Sequence, residues 1–283
     1  MRIDREWTVV RPHSMTHGDR LVTRDVDEDL IGVAMGPFLF VSLFSMRGPM
    51  FPPHPHAGFS VASYLLPESP IGFINQDSLG TRNRIAPGAL HVTRAGRGVL
   101  HEEQPERSGS VARGYQIWID HAEGDRELPP AALHLAASEV PQQVLGGSTV
   151  RVVLGELFGL RSPVSVPAPA RIVDLDLAVG APVEFALDPA DYGFLVVLDG
   201  AVQVADRVVG AGDVAVSTRP GSAVRLAAVD APARATLFAG RAASRQRVRH
   251  GPFVANDQAQ LQRFFEAYRS GRFGSLTPFA EQR

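Results

Sequence analysis

Short apolar runs recur along this chain, and their length and spacing constrain its fold more than any other feature. The runs are bounded by turn-forming Gly, Pro, Asn or Asp, as at Phe38–Leu43, Val61–Leu66, Tyr115–Ile119, Val150–Leu154 and Phe194–Leu198. Even spacing of this kind is typical of antiparallel sandwiches and barrels. Because no long amphipathic helices alternate with the runs, a parallel α/β sheet is excluded and the sequence predicts an all-β protein.

One helix is predicted near the end of the chain, over about residues 257–270. Asn256 or Asp257 can cap its N-terminus, and Gly271 stands where a helix C-terminus prefers glycine. Apolar residues fall on one face at helical spacing, namely Leu261, Phe264, Phe265 and Tyr268. We expect this amphipathic helix to pack on the wall of a barrel.

Two domains are expected from the length of 283 residues, which exceeds the usual size of one domain. Pro and Gly cluster over residues 128–147, which places the linker there. We therefore predict one domain over residues 1–134 and a second over 141–283, which includes the terminal helix. Residues 85–92 and 209–216 each contain a Gly turn flanked by β-forming residues, so the two halves of the sequence are weakly similar to each other.

The absence of cysteine limits the chemistry of any metal site. Without thiolates a metal must be held by His and carboxylate, which excludes the thiolate-rich structural zinc sites. All basic side chains other than His are Arg, so Schiff-base lysine chemistry is excluded as well. No histidine occurs between residues 141 and 240, so a duplicated barrel over this range has no imidazole to offer a metal ion.

Charge and hydropathy exclude two classes of partner. The formal net charge is -2 and no basic block stands out, so neither nucleic acid nor an anionic membrane surface is indicated. The most apolar stretch, Ile31 to Met46, is shorter than the ~20 residues of a membrane helix, and Gly36-Pro37 divides it into two expected strands. Residues Met1 to Glu6 carry acids and lack the apolar run of a signal peptide, so we expect a cytoplasmic protein.

Two pairs of residues, each spaced by two, indicate a metal site. His54 and His56 point to the same face if they lie on a strand, and so do His101 and Glu103 on a second strand. If the two strands are neighbours inside a barrel, three imidazoles and one carboxylate surround one point. Glu102 is the alternative carboxylate, but on a strand it points away from His101, so Glu103 is preferred.

The segments around these residues resemble the pirins, a branch of the cupin superfamily. The resemblance runs in order over nearly the whole chain and rests on residues 36–40, on His54-Pro55-His56 with Gly58-Phe59, and on 82–88, 95–103, 115–119, 250–254 and 271–274. It implies a bicupin, that is, two antiparallel cupin-type β-barrels facing each other, with metal only in the N-terminal barrel. It also implies that His54, His56, His101 and Glu103 are the ligands.

The resemblance implies a cofactor and an activity. One divalent transition metal is expected, with Fe(II) favoured and Mn, Ni, Co, Cu or Zn as alternatives, because nitrogen and oxygen donors accept all of these ions. Some pirins cleave flavonols as quercetin 2,3-dioxygenases, which implies a small planar aromatic substrate and O2, with Glu103 as the catalytic base.

The sequence leaves two other functions open. Other pirins are described as regulators that contact a protein partner without turning over a substrate, and the shared ligand motif does not separate the two groups. A different cupin reaction, such as sugar isomerisation, is the weaker third alternative.

Several positions depart from the pirin pattern or invite a second interpretation. Ser60 replaces a Glu that is not a ligand, and Ala89 replaces an acidic residue. His91 replaces a Gln and is expected to be a satisfied barrel residue or part of the pocket wall rather than a fifth ligand. No base is in view for Ser60, so a nucleophilic serine is rejected. The rings of Phe51 and Phe59 either stack on a substrate or pack in the core. Three histidines are expected at the surface or between the domains, namely His121, His134 and His250.

Overall fold

The computed structural model describes residues 6–218, 221–243 and 246–282. Met1 to Arg5, most of the segment that argues against a signal peptide, lies outside the described residues. In the part of the chain that the structure describes, every helix is too short or too polar to cross a lipid bilayer.

Strands are the main secondary structure of the first half of the chain. A four-residue helix, α1 (Glu28–Ile31), and a 3₁₀ turn at Gly32–Met35 interrupt them, and further 3₁₀ turns lie at Glu123–Asp125 and Ala137–Glu139. The strands are β1 (Trp7–Val10), β2 (His13–His17), β3 (Leu21–Asp27), β4 (Phe38–Met46), β5 (His54–His56), β6 (Phe59–Leu65), β7 (Phe73–Asp77), β8 (Arg82–Ile85), β9 (Leu90–Arg94), β10 (Val99–Pro105), β11 (Ala112–Asp120) and β12 (Ala131–Leu135).

The second half continues in the same way and ends in a helix. Its strands are β13 (Gln142–Leu145), β14 (Ser148–Leu154), β15 (Glu156–Leu157), β16 (Leu160–Arg161), β17 (Ala170–Leu177), β18 (Val183–Ala186), β19 (Tyr192–Asp199), β20 (Ala201–Val204), β21 (Arg207–Gly210), β22 (Val214–Ser217), β23 (Ala223–Ala228), β24 (Ala233–Gly240), β25 (Val248–His250) and β26 (Phe253–Ala255). Helix α2 (Gln258–Arg269) follows, and the Asp257 side chain accepts a hydrogen bond from the Gln260 amide at its N-terminus. A final 3₁₀ turn lies at Phe279–Glu281.

Each half has one large and one small antiparallel sheet. In the first half the seven-stranded order β12-β9-β6-β11-β4-β3-β2 accompanies the four-stranded order β5-β10-β7-β8. In the second half the seven-stranded order β1-β22-β19-β24-β17-β14-β13 accompanies the four-stranded order β18-β23-β20-β21. The predicted all-β class, with two antiparallel domains and a helix at the C-terminus, is confirmed.

The two large sheets pack against each other through one shared hydrophobic core. Phe38 and Tyr115 of the first half contact Phe238 of the second, with ring centroids 5.4 and 5.2 Å apart. Strand alternation explains this arrangement, because Tyr115 and Ile117 of β11 face the second domain while Gln116 and Trp118 face the inside of the first. The large sheets are therefore apolar on the shared face, and the polar residues of the first domain turn inward.

Both ends of the chain cross between the halves. Strand β1 pairs with β22 in the second large sheet, so the first strand belongs to the second sheet system. Conversely, β26 joins the first half through the bridge between Ala57 and Phe253, and α2 packs there as well, with Phe264 in a cluster with Ala57. The division into residues 1–134 and 141–283 stays a prediction. The structure adds that each end of the chain packs with the opposite half.

The stretch Ile31 to Met46 forms one strand rather than the two that were predicted. Strand β4 begins at Phe38, directly after Gly36-Pro37, but the residues before that pair form α1 and a 3₁₀ turn. Asp27 caps α1 by accepting a hydrogen bond from the Leu30 amide, and this local bond favours a helical turn over an extended strand.

Candidate metal centre

The three predicted histidine ligands come from two neighbouring strands. In the antiparallel pairing of β5 with β10, His101 stands directly opposite His54, and Val99 stands opposite His56. The alternation within each strand brings His54 and His56 to one face, where His101 meets them. Their nearest ring nitrogens all lie within 4.8 Å of one another.

The imidazoles are held in the neutral form. Burial lowers the pKa of His54, and it lowers the pKa of His56 and of His101 well below the usual value, with the neighbouring histidines adding to the effect at both residues. The Pro252 carbonyl opposes the shift at His56 but makes no hydrogen bond of normal geometry. A neutral imidazole keeps a nitrogen lone pair, which is the form that binds metal ions.

Unpartnered nitrogens in this cluster fit a metal ion. Both ring nitrogens of His56 and Nδ1 of His101 are buried without a hydrogen-bond partner, an arrangement that is costly unless a ligand satisfies it. Nδ1 of His54 lies 2.9 Å from the Pro52 carbonyl, which fixes that nitrogen as the donor and leaves Nε2 with its lone pair.

The spacing of the nitrogens agrees with this interpretation. Nε2 of His54 lies 3.1 Å from Nε2 of His101. Two nitrogens each about 2.1 Å from one ion, at an angle of about 90 to 110°, are separated by about 3.0 to 3.4 Å. The pair formed by His54 and His101 therefore has the spacing of two ligands on one first-row transition metal ion, and His56 completes the group within 4.8 Å.

The two carboxylates next to His101 face opposite ways, as the alternation predicts. Glu102 is buried under the C-terminal segment, where its Oε2 accepts hydrogen bonds from the Gln76 amide group at 2.7 Å and from the Phe279 amide at 2.9 Å. Glu103 lies on the wall of the cavity beside the histidines.

Glu103 stands outside the group formed by the three histidines. Its Oε2 accepts a hydrogen bond of 2.6 Å from the Ser63 hydroxyl. Burial raises the pKa of Glu103 to about 7, against the smaller opposing effect of Ser63. The carboxyl group can therefore gain or lose a proton near neutral pH, and its place as a metal ligand stays a prediction.

A cavity of about 460 Å³ opens beside the histidine cluster. This volume falls within the roughly 300–1,000 Å³ of small-molecule sites. Its apolar wall is largely aromatic and includes Phe40, Phe44, Met46, Phe51, Phe73 and Trp118. Its polar residues include Thr23, Asp25, Ser42 and Gln116.

Two family models and one relative decide the family. The family model described as Pirin matches residues 22–119, and the model described as Pirin C-terminal cupin domain matches residues 172–274. Pirin-like protein 2 from Arabidopsis thaliana is 31% identical over 255 residues, which cover 85% of this chain and 76% of that protein. The chain belongs to the pirin family.

Solved structures agree with the pirin fold, two cupin domains in one chain. The crystal structure of a quercetin 2,3-dioxygenase from Acinetobacter baumannii superposes with a TM-score of 0.86 at 24% identity, covering 97% of this chain and 100% of that one. The bacterial pirin YhhW from Escherichia coli, in complex with nickel(II), superposes with a TM-score of 0.66 at 16% identity, covering 84% and 100%. The predicted bicupin fold is confirmed.

The second cupin domain of this pirin is filled with apolar side chains. Val152, Val173, Leu195, Val197 and Leu237 are all fully buried in its core cluster. The histidine cluster described above belongs to the first domain, in agreement with the sequence, which has no histidine between residues 141 and 240.

The departures from the pirin pattern do not all bear on the cavity. Ser60 faces away from it and its Oγ lies 2.8 Å from Nε2 of His121, so the expectation that Ser60 lacks a histidine neighbour is wrong. The pair is fully buried, and Nδ1 of His121 lies 3.2 Å from the Asp125 carbonyl, so it is a packed structural contact. The prediction that His121 lies at the surface or between domains is wrong as well, since it is buried inside the first domain.

The remaining candidates fall in three environments. His91 is buried in the first barrel and separate from the metal cluster, Ala89 is fully buried in a small core cluster, and His134 and His250 are exposed. Phe59 is fully buried behind His56, its ring centroid 5.3 Å away, which is the core-packing alternative.

Trp118 is the aromatic residue that the sequence reasoning missed. Its ring lines the cavity and lies 5.5 Å from the His56 ring, while the Arg249 guanidinium stands 4.8 Å above it. Alternation within Tyr115–Ile119 separates Gln116 and Trp118 from the residues that face the second domain, and this signal could have identified both as cavity residues.

Proposed function

We propose that this pirin is a cytoplasmic, metal-dependent dioxygenase that cleaves flavonols, of the quercetin 2,3-dioxygenase type. One observation carries the proposal: three neutral histidines, of which His56 and His101 have buried nitrogens without a hydrogen-bond partner, stand at a cavity that is lined by aromatic side chains and sized for a small planar ligand. Two structural neighbours, a quercetin 2,3-dioxygenase and a pirin in complex with nickel(II), are consistent with this choice.

The histidines and Glu103 are the proposed metal ligands in the domain over residues 1–134. His54, His56 and His101 would supply three nitrogens, and Glu103 would supply an oxygen after turning away from Ser63. The ion is a divalent transition metal, with Fe(II) favoured and Mn, Ni, Co, Cu or Zn as alternatives. Such an ion, when bound, lowers the pKa of a hydroxyl group that coordinates it and supplies a Lewis acid.

Glu103 is the proposed catalytic base. From its place on the cavity wall beside the histidines, its carboxylate can accept the proton of the flavonol 3-hydroxyl. While the carboxyl group is off the metal, the Ser63 hydroxyl donates a hydrogen bond to it and limits its orientations.

The aromatic wall would orient the substrate and exclude water. Trp118 and Phe51 both line the cavity, and Phe51 is half exposed at 50%, so it can contact a ligand that enters from solvent. Stacking against such rings suits a planar aromatic molecule.

The test is anaerobic reconstitution with Fe(II), Mn(II), Ni(II), Co(II) or Cu(II), followed by measurement of oxygen uptake with quercetin. We expect at least one metal to support consumption of one O2 per quercetin. Tight metal binding without oxygen uptake for any of these ions would overturn the proposal and favour a regulatory pirin that acts through a protein partner. Such a partner should then be captured by the wild type and lost with His56→Ala.

The role of Glu103 is tested with a matched pair of variants. Glu103→Gln removes the base and should lower the rate about 10² to 10⁴-fold. Glu102→Gln, one residue away on the opposite face, should keep wild-type turnover because its side chain contacts the C-terminal segment. Equal loss in the two variants would contradict the assignment.

A further inference from the structure

A polar row crosses the entire large sheet of the first domain. Direct cross-strand partners share a face of a sheet, and here they are polar on every one of the seven strands. The row consists of His134, His91, Ser63, Gln116, Ser42, Asp25 and His13. Its middle section lies on the wall of the cavity, because Gln116, Ser42 and Asp25 all line it.

The section of the row from Ser63 to Asp25 begins beside the proposed base and ends at a carboxylate. Ser63 donates to Glu103, and Gln116, Ser42 and Asp25 follow on the next three strands. Strands are about 4.8 Å apart, so Asp25 stands about 14 Å from Ser63 along the sheet. This distance suits the length of a planar ligand of three rings that lies across the strands.

Asp25 is the acceptor at the far end of this section of the row. It is only 9% exposed, and its two carboxylate oxygens accept one hydrogen bond each, from the Ser42 hydroxyl at 2.6 Å and from the Thr23 hydroxyl at 3.1 Å. Within the described residues no ion pair involves Asp25. A carboxylate has about four acceptor positions, so two remain for a ligand.

We propose that Asp25, held by Ser42 and Thr23, is the specificity-determining residue of the cavity and accepts hydrogen bonds from phenolic hydroxyls at the end of the substrate remote from the metal. The neighbouring wall is apolar, with Leu21, Phe44 and Met46 on the same or adjacent strands, so a ligand ring is buried there while its hydroxyls meet Asp25. A site built around a buried acceptor discriminates strongly against analogues that lack the donor. The substrate class is therefore flavonols that carry hydroxyls on that end ring.

This inference rests on the proposed flavonol chemistry. Measuring ligand binding instead of turnover tests the role of Asp25 separately from the dioxygenase activity. The probes are quercetin, the analogue without hydroxyls on its pendant ring, and the analogue without the 5- and 7-hydroxyls on its fused ring. Titrations use the metal-loaded protein under anaerobic conditions and follow tryptophan fluorescence. We expect deletion of the hydroxyls from one end ring to weaken binding about 10- to 100-fold, since these hydrogen bonds go to a charged acceptor.

The variant Asp25→Asn tests whether this residue causes the discrimination. It should weaken quercetin binding about 10-fold or more and leave the binding of the analogue without the critical hydroxyls unchanged. Asp19→Asn is the matched control, because Asp19 is exposed in the turn between β2 and β3.

The outcomes separate the two proposals. Flavonol binding without any dependence on end-ring hydroxyls overturns the role of Asp25, and this result needs only the wild type. Equal weakening of all ligands by Asp25→Asn overturns it as well. Discrimination that Asp25→Asn abolishes, without turnover by any metal form, supports the role of Asp25 and overturns the dioxygenase. Failure of every flavonol to bind overturns both.

Discussion

At the scale of single residues, burial keeps both the clustered histidines of this pirin and His91 neutral, and the surroundings of their nitrogens distinguish them. His54, His56 and His101 are kept neutral, and a bound ion would satisfy the unpartnered nitrogens of the cluster. His91 is buried too, but its nitrogens lie near Asn83 and Thr93 at 3.4 and 3.5 Å. The same physical cause therefore serves a binding site in one place and a packed interior in another.

His91 predicts a pH dependence of stability. Burial lowers its pKa to about 3, whereas the unfolded chain has an ordinary histidine pKa of about 6.5. Between these values the unfolded state binds more protons, so this contribution is fully present above pH 6.5 and is lost as the pH falls. The slope is up to about 1.4 kcal/mol per pH unit.

The prediction is tested with His91→Gln, which cannot titrate. Urea unfolding of the metal-free protein at pH 7, 6 and 5 should show a flatter loss of stability in this variant than in the wild type, with a difference of about 2 kcal/mol at pH 5. His250→Gln, at an exposed histidine, is the control and should follow the wild type. Parallel curves for wild type and His91→Gln would contradict the assignment.

At the scale of elements, strand β10 has other parts of the chain packed against it on both faces. Its inner face carries His101 and Glu103, and its outer face is covered by the C-terminal segment through Glu102. The turn before it is also covered, because a Cβ atom at Gly98 would stand 1.9 Å from the Phe273 ring. The exchanged C-terminus therefore supports the strand that brings the ligands together.

Gly98→Ala tests this support. The new methyl group must displace Phe273, and the φ angle of +129° at Gly98 is unfavourable for alanine, so we expect a loss of about 1 to 3 kcal/mol in the free energy of unfolding. In Gly124→Ala the methyl group meets open space, and the change should stay within about 0.5 kcal/mol. Denaturant titration measures both, and equal stabilities would show that the contact with Phe273 does not constrain the turn.

At the scale of the whole molecule, the two domains share a core and a buried polar contact. The Tyr64 hydroxyl of the first domain donates to Oδ2 of Asp174 in the second, at 3.0 Å. Arg151 and Arg234 also approach this oxygen, at 3.3 and 3.4 Å. The domains should therefore unfold together rather than one after the other.

Tyr64→Phe removes one donor to this buried carboxylate. We expect a loss of about 1 to 2 kcal/mol in the free energy of unfolding, because Asp174 keeps its two arginines. Tyr268→Phe, at a half-exposed ring on α2, should change the stability by less than about 0.5 kcal/mol. Calorimetry measures both effects, and two separated transitions in the wild type would contradict the shared core.

Local patterns predict the parts of this molecule that depend on strand alternation. The spacing of His54, His56 and His101 anticipates their cluster, and the opposite faces of Glu102 and Glu103 follow from the same rule. These two predictions require only that side chains alternate between the two faces of a strand and that β5 pairs with its neighbour β10.

Long-range pairing accounts for what the sequence does not predict. Asp25 lies on β3, and only the register of β3 with β4 and β11 aligns it with Gln116. The pairing of β1 with β22 likewise joins residues about 200 positions apart. His121 looks like a surface residue locally, and Ser60, on a distant strand, provides its buried partner.

The metal content of the protein tests the central claim most directly. Elemental analysis of wild type, His101→Ala and Glu102→Gln, each purified without added metal and then reconstituted with one divalent ion, compares a ligand with its neighbour on the opposite face. We predict about one ion per chain in the wild type and in Glu102→Gln, and almost none in His101→Ala. Equal metal content in His101→Ala and the wild type, or loss in Glu102→Gln alone, would contradict the account.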